Sequence, residues 1–133
     1  MYAVSIRYLR KNGENFNLEH WAQTHMPMGL ATLYRTQSVR PARVMIQHSV
    51  VGMDATEEST DAYATVWLIF ETREGLKGFM ALHNDPVAAA PLVEDFNNYA
   101  PLAPHIALGE VWEFKDIDGL LARGEECLNA LGR

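Results

Sequence analysis

The stretch Ala62–Glu71, AYATVWLIFE, is apolar at almost every position. A strand with one wet face alternates polar and apolar residues, whereas a strand without that alternation has both faces covered. Tyr2–Leu9 (YAVSIRYL) and His105–Phe114 (HIALGEVWEF) are also largely apolar on both faces and are rich in β-branched and aromatic residues. Three such strands demand a sheet with something packed on each side. A further strand is expected over Val39–Val51, where Pro41 lies near the start and a missing N–H matters least.

Helical patterns separate these strands. Asn17 is placed to cap a helix that begins at Leu18. Leu76, Phe79, Met80 and His83 follow the i, i+3, i+4, i+7 spacing of an amphipathic helix. Asn84-Asp85-Pro86 ends it, and Asp85 can cap the next helix with Pro86 at its first position, Val93 and Phe96 facing inward. Turns are expected at Lys11-Asn12-Gly13 and across the acidic stretch Gly52–Asp61. The order is βαββαβ, which together with the double coverage predicts a ferredoxin-like α+β domain. Its own helices can cover one face of the sheet, so the other is expected to meet a second copy in a homodimer. The domain is predicted over residues 1–115. Residues 116–133 form a C-terminal extension with Ile117, Leu120, Leu121, Leu128 and Leu131 on one helical face, interrupted by Gly119 and Gly124.

Charge removes several functions. A net charge of −6 over 133 residues, with a pI near 5.3, leaves no Lys/Arg cluster to neutralise nucleic-acid phosphates or to dock on an anionic membrane. No apolar run approaches the roughly 18 residues of a spanning helix, and the N-terminus lacks the pattern of a signal peptide. With one cysteine, Cys127, and no CxxC pair, a cytoplasmic location is expected. Cys127 has no neighbouring histidine and makes a poor nucleophile. Neither HExxH, GxSxG nor a Gly-rich phosphate loop is present. His20 and His25 are five apart, which misses the i, i+4 spacing of helical metal ligands, so no metal and no cofactor is expected. The pairs Glu57-Glu58 and Glu125-Glu126 read as solvated surface.

The segment most suggestive of chemistry is FNLEHWAQTHMPMG, Phe16 to Gly29. Leu18, Trp21, Ala22 and His25 share the stripe that faces the sheet. Pro27 removes a helical hydrogen bond, and the backbone is expected to kink or restart near His25. His25 is then either an acid–base group or polar anchor at a pocket mouth, or a core histidine that satisfies carbonyls freed at the kink. Spacing alone favours the second.

The same segment resembles the EthD family, named for a protein of ethyl tert-butyl ether degradation. Phe16, Trp21, Thr24, His25, Met26 and Pro27 match its T-H-M-P-L-type motif, with Met28 in place of the usual leucine. Asp95, Asn98 and Tyr99 in VEDFNNYA resemble its later acidic–aromatic motif. The resemblance spans Tyr2 to Phe114; the acidic stretch and the tail after Lys115 depart from it. It implies a dimeric α/β barrel with a pocket between sheet and helices in each subunit. Its relatives include cofactor-independent cyclases, dehydratases, isomerases and monooxygenases of aromatic, lactone or polyketide-like compounds. Many members have no known reaction, so the resemblance fixes fold more than chemistry.

The resemblance makes His25 the candidate catalytic residue. Tyr8, Trp21, Trp67, His83 and Tyr99 are candidate substrate-binding residues. For Tyr8, Trp67 and Tyr99 the alternative is core packing; for His83 it is helix-end electrostatics. His48 and His105 are expected at strand edges, and His20, one residue from Trp21, is expected to point away from the sheet. The reading is a small cofactor-independent enzyme acting on an apolar cyclic, aromatic or polyketide-like metabolite. The alternative is a non-catalytic dimer that binds a hydrophobic ligand or serves as a scaffold.

Overall fold

The computed structural model describes residues 1–10, 15–49, 53, 62–100 and 102–133. The expected turn at Lys11-Asn12-Gly13, the pair Glu57-Glu58, the end of the second strand at Val50-Val51 and the acidic stretch Gly52–Asp61, apart from exposed Met53, lie outside the described residues. The chain runs β1 (Tyr2–Leu9), α1 (Leu18–His20), a π-helical turn (Trp21–His25), α2 (Met26–Gln37), β2 (Arg43–His48), β3 (Ala62–Phe70), α3 (Glu74–His83), α4 (Pro86–Asp95), a 3-10 turn (Phe96–Asn98), β4 (His105–Glu110) and α5 (Ile117–Ala130). The four strands form one antiparallel sheet in the order β2-β3-β1-β4. This is the ferredoxin-like α+β arrangement, with an added C-terminal helix.

Register decides which side chains can meet. Ile6 pairs with Val66 and Ile106, and Val4 with Leu68, so even-numbered residues of β1 and β3 share one face. There Val4, Tyr8, Ala64, Val66, Leu68 and Phe70 join Trp21, Leu33, Phe79, Leu82 and Tyr99 in a single core. The opposite face carries the row Met45, Trp67, Ser5, Ala107. On that face Ala3, Thr65 and Ile69 are also buried, as the lack of alternation in β3 requires.

The helix ends obey local chemistry. Asn17 accepts the His20 N–H at 3.1 Å, and Asp85 Oδ1 accepts the N–H groups of Val87 and Ala88 at 3.1 Å each, with Pro86 next to it at the first helical position. α2 closes on Ser38 in the left-handed region (φ 56), whose N–H returns to Tyr34 O.

Several expectations need correction. The second strand begins at Arg43 rather than Val39, two residues beyond Pro41. β4 ends at Glu110 rather than Phe114, and within one chain only Ile106 along it is half-buried, because the strand lies at the edge of the sheet. In α3 the buried stripe is Gly75, Gly78, Phe79 and Leu82, and Met80 is exposed. Val93 is also exposed. α5 runs unbroken through Gly119 and Gly124, and none of its residues is buried.

Candidate functional site

The irregularity expected near His25 takes the form of a π turn, after which the helix resumes as α2. The helix widens by one residue: Met26 N–H donates to Trp21 O across a π turn spanning Trp21–His25. Pro27 then falls in the first turn of α2, where its missing N–H leaves little unmet. π turns of this sort concentrate at functional sites because they re-aim a side chain without breaking the helix.

Here the widened turn aims two side chains. In an α-helix, residues five apart point about 140° away from each other. Across the π turn, His20 and His25 converge on one carboxylate. His20 Nε2 lies 2.8 Å from Asp95 Oδ1 and His25 Nδ1 lies 3.0 Å from Asp95 Oδ2. Asn98 Nδ2 donates to Oδ1 as well, at 3.0 Å. Asp95 is the last residue of α4, held there by the Pro86 start and the 3-10 turn that follows. Its side chain is only 11% exposed.

On the other side of His25, Nε2 meets the Tyr99 hydroxyl at 3.0 Å, and that hydroxyl meets the Tyr8 hydroxyl at 3.2 Å. Tyr99 is fixed through its backbone, whose carbonyl accepts Asn17 N–H at 2.8 Å. The phenols are packed edge-on at a centroid distance of 5.5 Å, and Phe16 and Trp21 close around Tyr8. A continuous hydrogen-bonded chain results: Tyr8, Tyr99, His25, Asp95, His20.

Charge fixes the direction of each bond. Burial by itself pushes the Asp95 carboxyl up, but the bonds from Asn98, His20 and His25 outweigh it and hold the group at about 2. Asp95 is therefore ionised at neutral pH and accepts only. Burial lowers the His25 pKa, against the pull of Asp95 by hydrogen bond and charge and with a small push from His20. His25 is thus neutral, with its proton on Nδ1 facing Asp95 and its lone pair on Nε2 facing Tyr99. Tyr99 donates to that lone pair. Burial, reinforced by Tyr8 and Asp95, pushes the Tyr99 phenol far up. Burial also raises Tyr8, partly offset by its hydrogen bonds to Tyr99 and Trp21. Both phenols stay protonated.

The chain ends at a cavity of about 460 Å³ between sheet and helices, a size suited to a small metabolite. Ile6, Leu30, Val66, Leu68, Phe79 and Leu82 make its walls apolar, and Tyr8, Trp21, His25 and Tyr99 bound it where the polar chain begins. Of the residues singled out from sequence, Tyr8, Trp21, His25, His83 and Tyr99 all border this cavity. His83 stands apart from the polar chain, stacked on Phe79 at 5.2 Å. Trp67 does not border it: odd-numbered in β3 and paired with Ser5, it lies on the other face of the sheet. Tyr99 is a core aromatic at 3% exposure, and its hydroxyl bonds both His25 and Tyr8. His25 is held by a carboxylate and a phenol rather than by freed carbonyls. His20, expected to point away, is part of the chain; the signal for it was the i, i+5 histidine spacing just ahead of a proline. Among the described residues no cluster forms that could hold a metal ion, no helix is long and apolar enough to cross a membrane, and Cys127 is exposed.

No protein-family model matches the sequence, and no curated protein does. Two solved structures share its fold. One is an EthD-like protein from Ralstonia eutropha JMP134, with a TM-score of 0.67 and 24% identity, covering 86% of this chain and 96% of that one. The other is an ethyl tert-butyl ether degradation (EthD) family protein from Bacillus halodurans C-125, with a TM-score of 0.57 and 17% identity, covering 84% and 99%. The fold these neighbours share is the one the motif resemblance around His25 implies.

Proposed function

We propose that this chain is an EthD-type enzyme that moves a proton on an apolar cyclic, aromatic or polyketide-like metabolite, with His25 as the acid–base group and no metal or organic cofactor. The observation that carries this reading is the Asp95–His25–Tyr99–Tyr8 chain opening into a mostly apolar cavity. A ring system would fill the apolar walls, and an oxygen on it would reach the two phenols. As the substrate gives a proton to the Tyr99 oxygen, the Tyr99 proton passes to His25 Nε2. The resulting imidazolium faces the Asp95 carboxylate, which stabilises it. Reversing the two transfers returns the proton to another position on the product, so no proton is lost or gained. Cyclisation, dehydration and isomerisation all need such a step.

The sheet face opposite the helices carries Met45, Trp67 and Ala107 with buried Ala3 and Ile69 beside them. A second copy packed there would complete a barrel in the cytoplasm of the cell that makes it. Light scattering tests this, and a monomeric mass refutes it.

The functional test is a melting-temperature screen of aromatic, lactone and polyketide-like compounds, followed by turnover assays on those that bind. A ligand at a hundred times its dissociation constant stabilises the protein by about 2.7 kcal/mol. Conversion of a bound compound by the wild type, abolished in His25→Ala, is the expected result. If compounds bind but none is converted at a rate that His25→Ala reduces, the protein is a hydrophobic-ligand carrier and the enzyme reading falls.

A further inference from the structure

We infer that His20 is a positioning residue of this site: it grips Asp95 from the solvent side while His25 grips the same carboxylate from the cavity side, so a proton taken up at the surface is felt at the cavity. The inference rests on reading His25 as the acid–base group, but its test needs no substrate.

Geometry carries it. The two imidazoles take different oxygens of one carboxylate, at 2.8 and 3.0 Å. Their side chains differ in access to water, 27% exposed for His20 and 14% for His25. The π turn is what allows both to reach Asp95, since a regular helix would turn one of them away. With His20 holding Oδ1, Oδ2 is left directed at His25 Nδ1, and that bond selects the tautomer whose Nε2 can take the Tyr99 proton.

The groups that face this pair are few. His20 meets Asp95 from the end of α4 and stacks against Tyr99 at 6.3 Å; Glu19 is its neighbour on its own helix. His25 meets Asp95 and Tyr99, with Tyr8 of β1 behind Tyr99. Asp95 is the carboxylate bonded to both rings. A proton on His20 therefore draws on the same negative charge that an imidazolium at His25 would need, and the two protonations oppose each other.

Imidazole nitrogen NMR on the intact protein tests this, following each histidine through a pH titration in wild type, His20→Ala and His20→Gln. The wild type is expected to show His25 as the Nδ1–H tautomer at neutral pH. In His20→Ala the His25 midpoint is expected to rise by about half a unit to one unit, because the repulsion is gone and Asp95 keeps only Asn98 beside His25. In His20→Gln the side-chain amide still donates to Asp95. The tautomer is expected to survive, while the His25 midpoint still rises, because glutamine carries no charge. A purely structural histidine would lower the melting temperature and leave the His25 midpoint where it was. An unchanged midpoint and tautomer in the folded variants overturns the inference, and His20→Gln decides alone if His20→Ala does not fold. A shifted midpoint without any turnover leaves the two-histidine grip standing and removes the enzyme reading.

Discussion

Acid should destabilise this protein in two separate pH windows, and Asp95→Asn should remove the second. Asp95 falls from an ordinary 3.8 to about 2 on folding. A carboxyl with a lowered folded pKa contributes stability that is complete above its unfolded value and is lost as pH falls through the folded one. The window is therefore about pH 4 to pH 2. Each unit is worth about 1.4 kcal/mol, so the full effect is about 2.5 kcal/mol. Water reaching the more exposed His20, at 27%, screens part of this, leaving about 1–2 kcal/mol. His25 acts at higher pH. Its folded pKa lies below the usual 6.5, with burial as the main cause, so its contribution is complete above 6.5 and is lost as the ring is forced to charge below that. Asparagine matches aspartate in shape but offers one acceptor oxygen and an NH₂, so it cannot receive both ring N–H groups. Urea unfolding from pH 7.5 to pH 2 measures both steps. The wild type should lose stability just below pH 6.5 and again between about 4 and 2. Asp95→Asn should start lower at neutral pH and show no distinct step in the acid window. If it declines there as the wild type does, the shared carboxylate does not hold the site together.

Four further outcomes follow from the packing. Tyr8→Phe deletes a buried hydroxyl that bonds Tyr99 at 3.2 Å, and should cost about 1 kcal/mol in denaturant unfolding while raising the KM of any substrate bound through its oxygen. Gly75→Ala would set a Cβ 2.2 Å from the Phe70 ring, itself 2% exposed, and should destabilise by about 2–3 kcal/mol as α3 is forced off the sheet; an unchanged melting temperature would contradict that packing. Ser38→Gly relieves a left-handed residue (φ 56) and should stabilise by about 0.5–1 kcal/mol in the same assay. Trp67→Ala should leave ligand affinity unaltered, because Trp67 lies on the face of the sheet away from the cavity; calorimetric titration with any compound from the melting screen checks it.

The contrast between what was and was not legible in the sequence has a physical origin. β3 declared itself because nine residues without alternation admit no other burial, and Asn17 and Asp85 because capping is local chemistry. β4 misled because its apolar residues sit on an edge, where composition does not distinguish a covered face from an open one. Trp67 misled because a doubly apolar strand does not reveal which alternate set faces the helices. His25 stood out through its motif, whereas its partners lie 70 and 74 residues away, beyond any periodicity. His20 was hidden by the assumption of 3.6 residues per turn. Proline signalled an irregular helix but not its form, and a π turn and a kink make opposite statements about position 20.

That π turn has a bearing on how such a site can arise. A helix missing one residue between Trp21 and His25 would be regular, with everything before the gap rotated by about 100°. No exchange of one side chain for another converts that helix into this one; it takes a change in length. A single-codon deletion anywhere in the turn should therefore be tolerated by the fold far better than by the site, separating heritable stability from heritable chemistry in one mutational step. A comparison of related chains that allows no gap here would set the wrong residue opposite His20.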